Sequence, residues 1–448
     1  MSILKPRSGI RRLLHNRAFD RLREKLASMH PSSVAEDLRD LDSEETVEVL
    51  RHASRDHRAE ILSHMEPDEQ IEVTDLLDRE ELAELLSRMP PDDRVDLFKQ
   101  MPDETQDLVL PAMTLDRRNE LLRLASYEEE TAGALMTSEY VTVHSWQTAP
   151  EATGSVRQQA TTAETISFAY VVDDDGVLEG VVSLRQLILA PPSARISEIM
   201  QRDLITVHVD DDQEEVAREI RESDLVALPV VDDEGVLVGI VTADDAMEVE
   251  EEETTEDFQR MASVTIMETS LRDAGIWLLY RVRIPWLLVL VFINVFAGAV
   301  IASYEEMIEA YVALVFFMPL LIDSSGNAGS QAATLVIRAL GTGDVEPRDW
   351  PRMLARELGV VIPIGLSMAL GVLVIAQFRA PEVLVPVGLS MLSVVIFGSL
   401  IGVILPFILN KVGLDPAAAS APLITSLADI GGVIIYFAIS AWYLGAMF

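Results

Sequence analysis

The chain has 448 residues, 73 of them acidic against 35 basic, for a formal net charge of −38. That length implies more than one domain, and so acidic a polymer does not bind nucleic acid by neutralising phosphates. It suits hard divalent cations that take oxygen ligands, while the absence of cysteine excludes disulfides, thiolate zinc sites and thiol nucleophiles.

The charge is unevenly spread. Twelve acidic and nine basic residues follow Ser270, a net of −3, which leaves −35 for residues 1–270. Met1–Arg23 is basic but has no continuous apolar core, so no signal peptide is expected. Residues 20–125 read as short helices in a repeat: Met65, Met89, Met101 and Met113 are spaced by 24, 12 and 12. Several units end in Met and turn at Pro plus an acid, as in Met65-Glu66-Pro67-Asp68, Met89-Pro90-Pro91-Asp92 and Met101-Pro102-Asp103. Proline and acids in a first turn are helix-start signals. Helices this short bury their apolar faces only by stacking on neighbours, which predicts a small superhelix. Its acidic turns read either as solvated caps or as partial cation ligands.

Residues 135–250 hold two matching halves. One runs Leu135-Met136-Thr137, Val141-Thr142-Val143, Ala169-Tyr170-Val171-Val172-Asp173 and Gly180-Val181-Val182-Ser183. The other runs Ile199-Met200, Ile205-Thr206-Val207, Leu228-Pro229-Val230-Val231-Asp232 and Gly239-Ile240-Val241-Thr242. Each predicts strand, helix, a hairpin of two strands closed by an acidic glycine turn, and a last helix. This order resembles a tandem of CBS domains. The resemblance implies an adenosine nucleotide, such as ATP, at a Ser/Thr-x-x-Asp turn. The second half keeps that turn at Thr242 and Asp245. The first has Ser183-Leu184-Arg185-Gln186, with Gln186 where an Asp is expected.

Six acids lie between Glu248 and Glu256. Like charges one helical turn apart destabilise a helix, so this stretch is a solvated linker, or a helix rescued by bound cations that couples the two halves of the chain. Five apolar spans follow, about Pro285–Ser303, Tyr311–Leu340, Gly359–Phe378, Val383–Leu409 and Ala417–Leu444, each long enough for a bilayer. Arg281, Arg283, Arg338, Arg348, Arg352, Arg356 and Lys411 flank one side and only Arg379 the other. The positive-inside rule then puts the N-terminal half in the cytoplasm and the C-terminus outside.

The second span reads as interrupted. Pro319, Asp323, Ser324, Ser325, Gly326, Asn327, Gly329, Ser330 and Gln331 fall at membrane depth, where polar or irregular backbone is tolerated only inside protein or beside a cavity. Gly398-x-x-x-Gly402 in the fourth span reads as a helix contact. In Asp415–Phe437 an apolar helix carries Asp429 in its middle, loosened by Pro416 and Pro422 before it and Gly431-Gly432 after it. No Lys or Arg follows Lys411. An intramembrane acid marks an ion path by default; the other reading is a protonated Asp hydrogen-bonded within a bundle. Neither a nucleotide-hydrolysis loop nor a nucleophile–base set is visible, so no enzyme is expected.

Together these segments resemble the MgtE family of magnesium channels and transporters, most specifically through Pro319…Gly326-Asn327-Ala328-Gly329-Ser330-Gln331-Ala332-Ala333-Thr334 and Asp415-Pro416…Pro422…Thr425…Asp429. The resemblance implies a multi-domain membrane protein: an all-α N-terminal superhelix (1–130), α/β tandem CBS domains (131–194 and 195–247), a long connecting helix (248–270) and a five-helix transmembrane bundle (271–448). It implies a homodimer in the plasma membrane, with one pore on the dimer axis. Asp429 would be the pore acid, with Asn327, Asp323, Gly326, Gln331 and Thr425 lining the path. It places a cytosolic Mg²⁺ sensor on Glu60, Asp92 and Asp96, on Asp212, Glu214 and Asp224, and on Asp245, Glu248, Glu253, Glu256 and Asp257, with Asp415 below the pore. Asp323 departs from the small or apolar residues expected there. Mg²⁺ is thus expected as both cargo and regulator. Two other readings stand beside this one: a carrier of Co²⁺ or Mn²⁺ regulated in the same way, and a CBS nucleotide sensor anchored in a membrane.

Overall fold

A computed structural model describes residues 9–267 and 274–445. Residues 1–8 of the basic N-terminal segment, 268–270 of the connecting segment, and 271–273 and 446–448 of the membrane domain lie outside the described residues. The chain divides into two compact units, Met1–Glu251 and Glu252–Phe448.

The first unit opens with ten short helices: α1 (Gly9–His15), α2 (Phe19–Ser28), α3 (Pro31–Leu38), α4 (Ser43–Leu50), α5 (Arg55–Ser63), α6 (Pro67–Thr74), α7 (Arg79–Leu86), α8 (Pro91–Gln100), α9 (Asp103–Val109) and α10 (Leu115–Leu124). Isolated helices of this length are unstable in water. Here each packs on the next but one, α3 on α5, α4 on α6 and so on to α8 on α10, which makes the superhelix. Met65, Met89, Met101 and Met113 are all buried in its core. Several acidic turns are caps: Asp42 accepts from the Glu45 amide at 2.8 Å and Asp78 from the Glu81 amide at 2.8 Å. Each such cap satisfies an orphan N–H at the helix start.

After α11 (Ala132–Leu135) come the two CBS halves. The first holds β1 (Thr142–His144), α12 (Ala149–Gln159), β2 (Phe168–Val172), β3 (Leu178–Ser183) and α13 (Leu184–Leu189). After α14 (Ile196–Ile199), the second holds β4 (Val207–His208), α15 (Gln213–Ser223), β5 (Ala227–Val231), β6 (Leu237–Thr242) and α16 (Ala243–Met261). In each three-stranded sheet the first strand runs parallel to the second and the second antiparallel to the third. The hairpins turn at Gly176 (φ +86°) and Gly235 (φ +78°), a left-handed backbone that favours glycine. Bridges Thr137–Ile240, Val177–Val236 and Val181–Gln201 interlock the halves. The last helix of the second half and the acidic connecting segment form one uninterrupted helix, α16, with no break at residue 248.

The second unit holds α17 (Ile276–Ala302), α18 (Glu305–Ala310), α19 (Ala313–Gly341), α20 (Trp350–Arg379), α21 (Leu384–Lys411) and α22 (Ala421–Gly445). Ile276–Ala302, Pro347–Arg379, Pro381–Lys411 and Ala421–Gly445 are long and apolar enough to cross a membrane. The fifth long helix, α19, has 29 residues but carries the polar stretch 323–331; it packs against α21 and α22.

Two expectations are corrected here. The second span is not interrupted: α19 is continuous through Pro319, Gly326 and Gly329. Its hydroxyls turn back onto backbone carbonyls, Ser324 onto Leu320 at 2.6 Å, Thr334 onto Ser330 at 2.9 Å, and Ser325 across to Val394 at 2.8 Å. Such back-bonding can bend a helix, yet α19 runs on unbroken to Gly341. The Asp429 helix does not begin at Asp415. A separate 3₁₀ turn, Pro416–Ala418, precedes α22, which starts at Ala421 and runs straight through Gly431-Gly432.

Candidate ion path and acidic clusters

Within the first unit the start of α8 and the start of α16 bring acids together. Burial first, then Asp93 and Asp245, push the Asp92 carboxyl well above the usual range. Its Oδ1 is closed off from solvent with no hydrogen-bond partner. Asp93 is raised by burial and by Asp245, Asp96 and Glu248, against a hydrogen bond with Ser63. Asp245 is raised by burial and by Asp244 and Glu248, while hydrogen bonds from Thr242 pull the other way. Glu164 is raised by burial and by Asp245 and Asp244. Carboxyls in this state take up protons, or a cation, to relieve their repulsion. Asp93 was not among the expected residues; Asp92 beside it and Asp96 three positions on were the available signal.

The other expected sensor residues of this unit are more scattered. Glu60, on α5, is exposed, with His57 Nδ1 3.5 Å away. Asp96 and Glu248 are exposed and act electrostatically on Asp93. Asp212 caps α15 by accepting from the Glu214 amide at 2.8 Å, and Asp224 ends the same helix in a left-handed turn (φ +51°). The length of α15, about 16 Å at 1.5 Å per residue, therefore separates Asp212 and Glu214 from Asp224, too far for one ion. Among the described residues no three His, Asp or Glu side chains converge to ligate one metal ion directly.

Thr242 and Asp245, expected to hold a nucleotide, face each other: Thr242 Oγ1 donates to Asp245 Oδ2 at 2.5 Å. In the first half Gln186 plays the matching part, accepting from Ser183 N and Oγ, both at 2.8 Å. A shallow groove beside it is lined by Ser167, Ser183, Leu184, Arg185, Ile188 and Leu189.

Within the second unit the end of α16 is held to the turn before α22. Arg260 pairs with both Asp415 and Glu256. Ser263 Oγ donates to Ser420 Oγ at 2.5 Å, and Met261 packs against a cluster that includes Ala417, Ala419 and Ile424. Asp415 also caps its own 3₁₀ turn through the Ala417 amide at 2.7 Å. Asp257 is pushed up to about 6, first by burial and then by Asp415 and Glu253. Glu253 and Glu256 lie half-buried on the same helix. Arg260 was missed because a lone basic residue after an acidic run reads as a helix-end charge.

Along α19, Asp323, Asn327, Gln331, Thr334 and Arg338 are exposed, while Ser324, Ser325, Gly326, Gly329, Ala332, Ala333, Val336 and Ile337 are buried. The helix thus carries a polar stripe on its open side and small residues on its packed side. Asn327 Nδ2 donates to Asp323 Oδ2 at 3.0 Å. Asp429, on α22, lies close enough to Asp323 to repel it, and its buried Oδ1 has no hydrogen-bond partner. Thr425 Oγ1 is 3.3 Å from Ser330 Oγ. Gly326, expected in the path, faces Thr425 of α22: a Cβ there would stand 2.8 Å from Thr425 Cγ2, so the two helices pack closely at this glycine. Gly398 and Gly402 of α21 meet α19 at Ser325 and Gly329, with the Gly398 carbonyl 2.7 Å from where a Gly329 Cβ would sit.

Comparisons with known proteins agree with this division. The MgtE family described as "Divalent cation transporter" matches residues 318–439, the MgtE intracellular N domain matches 29–130, and CBS domains match 132–193 and 196–252. The magnesium transporter MgtE of Thermus thermophilus is 42% identical over 331 residues, covering 74% of each chain. That of Enterococcus faecalis is 36% identical over 73% of this chain and 72% of its own. Among solved structures, the cytosolic domain of the Mg²⁺ channel MgtE in complex with ATP superposes with a TM-score of 0.52 at 40% identity, over 55% of this chain and all of that one. The soluble part of a magnesium transporter gives 0.52 at 33% identity, over 55% of this chain and 96% of its own. With family models matching the N-domain, the CBS pair and the apolar helices, and 42% identity over 74% of the chain, the chain belongs to the MgtE family, as a multi-pass membrane protein.

Proposed function

We propose that this chain carries Mg²⁺ into the cell, along a path walled by the polar stripe of α19 and by Asp429, and that cytosolic Mg²⁺ closes it. One observation carries the reading: Asp323, Asn327, Gln331 and Thr334 are open on a helix packed among apolar helices, beside an acid with an unsatisfied oxygen. Such a stripe is costly against lipid and is retained where water or ions pass. A second copy of the chain facing it would enclose the path, so the working form is a homodimer. Mg²⁺ sheds water reluctantly, so carboxylate and amide oxygens would hold it through its hydration shell. Inward movement needs no chemical step, since a divalent ion gains about 4.6 kcal/mol per 100 mV, twice the value for one charge. The N-terminal unit is cytoplasmic by the asymmetry of Arg and Lys, and uptake of the ion from outside places the chain in the plasma membrane. The chain is not an enzyme in this reading.

For closure, the acids of α8 with the start of α16, and those at the end of α16 with Asp415, repel until a cation bridges them. Ligands shift such an equilibrium by their differential affinity for its two states, so several sites acting together make closure steep in Mg²⁺. Reconstituted into liposomes under an inward-negative potential, the wild type should take up Mg²⁺ and Asp429→Ala should not. Equal uptake by the two removes Asp429 from the path. A second reading concerns the CBS pair: a relative's cytosolic domain is solved with ATP, and an adenosine nucleotide here would use Thr242 and Asp245.

A further inference from the structure

We infer that Asp323 is a positioning residue of the ion path: its carboxylate fixes the amide of Asn327 so that the carbonyl oxygen, and not the NH₂ group, is presented to the ion. The inference rests on the reading of α19 as the wall of the path. Asp323 and Asn327 are one helical turn apart on the exposed side of α19, joined by the 3.0 Å bond from Asn327 Nδ2 to Asp323 Oδ2.

The chemistry leaves one orientation. An ionised carboxylate can only accept hydrogen bonds, so the amide must turn its NH₂ toward it. The two ends of an amide point apart, so Asn327 Oδ1 is directed away from Asp323. Without an acceptor at 323 the amide would be free to flip, and half of its orientations would offer a cation two N–H donors. Asp429 supplies the complementary group on α22, an acceptor-only carboxylate with an unpartnered Oδ1. Together they place oxygens, and no donors, toward a hydrated divalent ion whose shell waters donate outward. The bond is charge-assisted, which makes it stronger than one between neutral groups.

The test is a double-substitution cycle on the full chain in liposomes, with wild type, Asp323→Ala, Asn327→Ala and both together, read as the ratio of Mg²⁺ to Ca²⁺ flux. Asp323→Ala should lower the ratio about tenfold in the wild type, the scale of one hydrogen bond to a charged group, and should lower it no further once Asn327 is Ala. The chain has five asparagines, so ¹⁵N-asparagine labelling gives a second readout. The side-chain resonance lost in Asn327→Ala identifies Asn327, and in Asp323→Ala it should shift and exchange faster with solvent. An equal fall in both backgrounds would show Asp323 acting as an independent charge and would overturn the proposal. So would an unmoved resonance, whether or not the wild type conducts. A wild type without Mg²⁺ flux would refute the transport reading separately, leaving the amide signal to decide the pairing.

Discussion

Asp257 offers the sharpest probe of how α16 is held. Its carboxyl is raised to about 6 by burial and by Asp415 and Glu253, roughly two units above an ordinary Asp, or about 3 kcal/mol at 1.36 kcal/mol per unit. The side chain is partly open to water, so about half of that, ~1.5 kcal/mol, survives screening. The sign follows from linkage: a raised acid binds its proton more tightly in the docked state, so docking strengthens as pH falls through 6 toward the ordinary Asp range, and the full penalty is present above about 6. Asp257→Asn removes the repulsion while keeping the size of the side chain. In chelator at pH 8 it should dock the end of α16 about tenfold more tightly than wild type, read as slower protease cleavage within Glu248–Met261. Wild type should approach the variant at pH 5, or at pH 8 in millimolar Mg²⁺, and the variant should respond little to either. Cleavage of the variant as fast as wild type in chelator, or with an unchanged pH profile, would refute this account of Asp257.

The acids of the first unit make a parallel case: Asp92→Asn should slow hydrogen exchange in α8 in chelator at pH 8, and in wild type exchange corrected for intrinsic rate should slow as pH falls from 8 toward 5, since these carboxyls too are raised. Calorimetry of ATP binding should weaken in Asp245→Ala and hold in Gln186→Ala; tight binding that survives Asp245→Ala would remove Asp245 from the nucleotide site. Gly402→Leu, whose side chain would collide with the Gly329 carbonyl, should destabilise the solubilised protein by the ~1–3 kcal/mol typical of overpacking, read as a lower melting temperature. Gly371→Leu, with nothing within 4 Å of its Cβ position, should melt like wild type.

Much of the fold was legible because its signals are local. The Met-Pro-Asp turns mark where several N-terminal helices start, and the paired β-branched strands with glycine turns mark the CBS halves. Asp429 stood out because a carboxylate within an apolar helix is rare on physical grounds. What the residues hid depends on direction and on distant partners. Pro319 and two glycines suggested a broken span, yet the glycines face α21 and α22 and the hydroxyls are satisfied, so the helix continues. Asp93 joins Asp92 and Asp245 only because α8 and α16 meet, and Arg260 meets Asp415 across 155 positions of chain.

Glycine carbonyls resting on glycines have a mechanical consequence. Helices that touch through side chains can slide as rotamers change. Where α19 meets α21 at Gly329, Gly398 and Gly402 the contact is backbone on backbone, with no rotamers to give. The two helices are therefore held as a single stiff blade, and compliance is left to the joints beside it. The next joint along the chain is the link from Lys411 to Ala421, where Gly413 takes a φ of +75° and has open space around it. Asp415, the residue that Arg260 grips, sits inside that joint. The grip of Arg260 on Asp415 therefore acts on the joint itself and not on the stiff pair of helices.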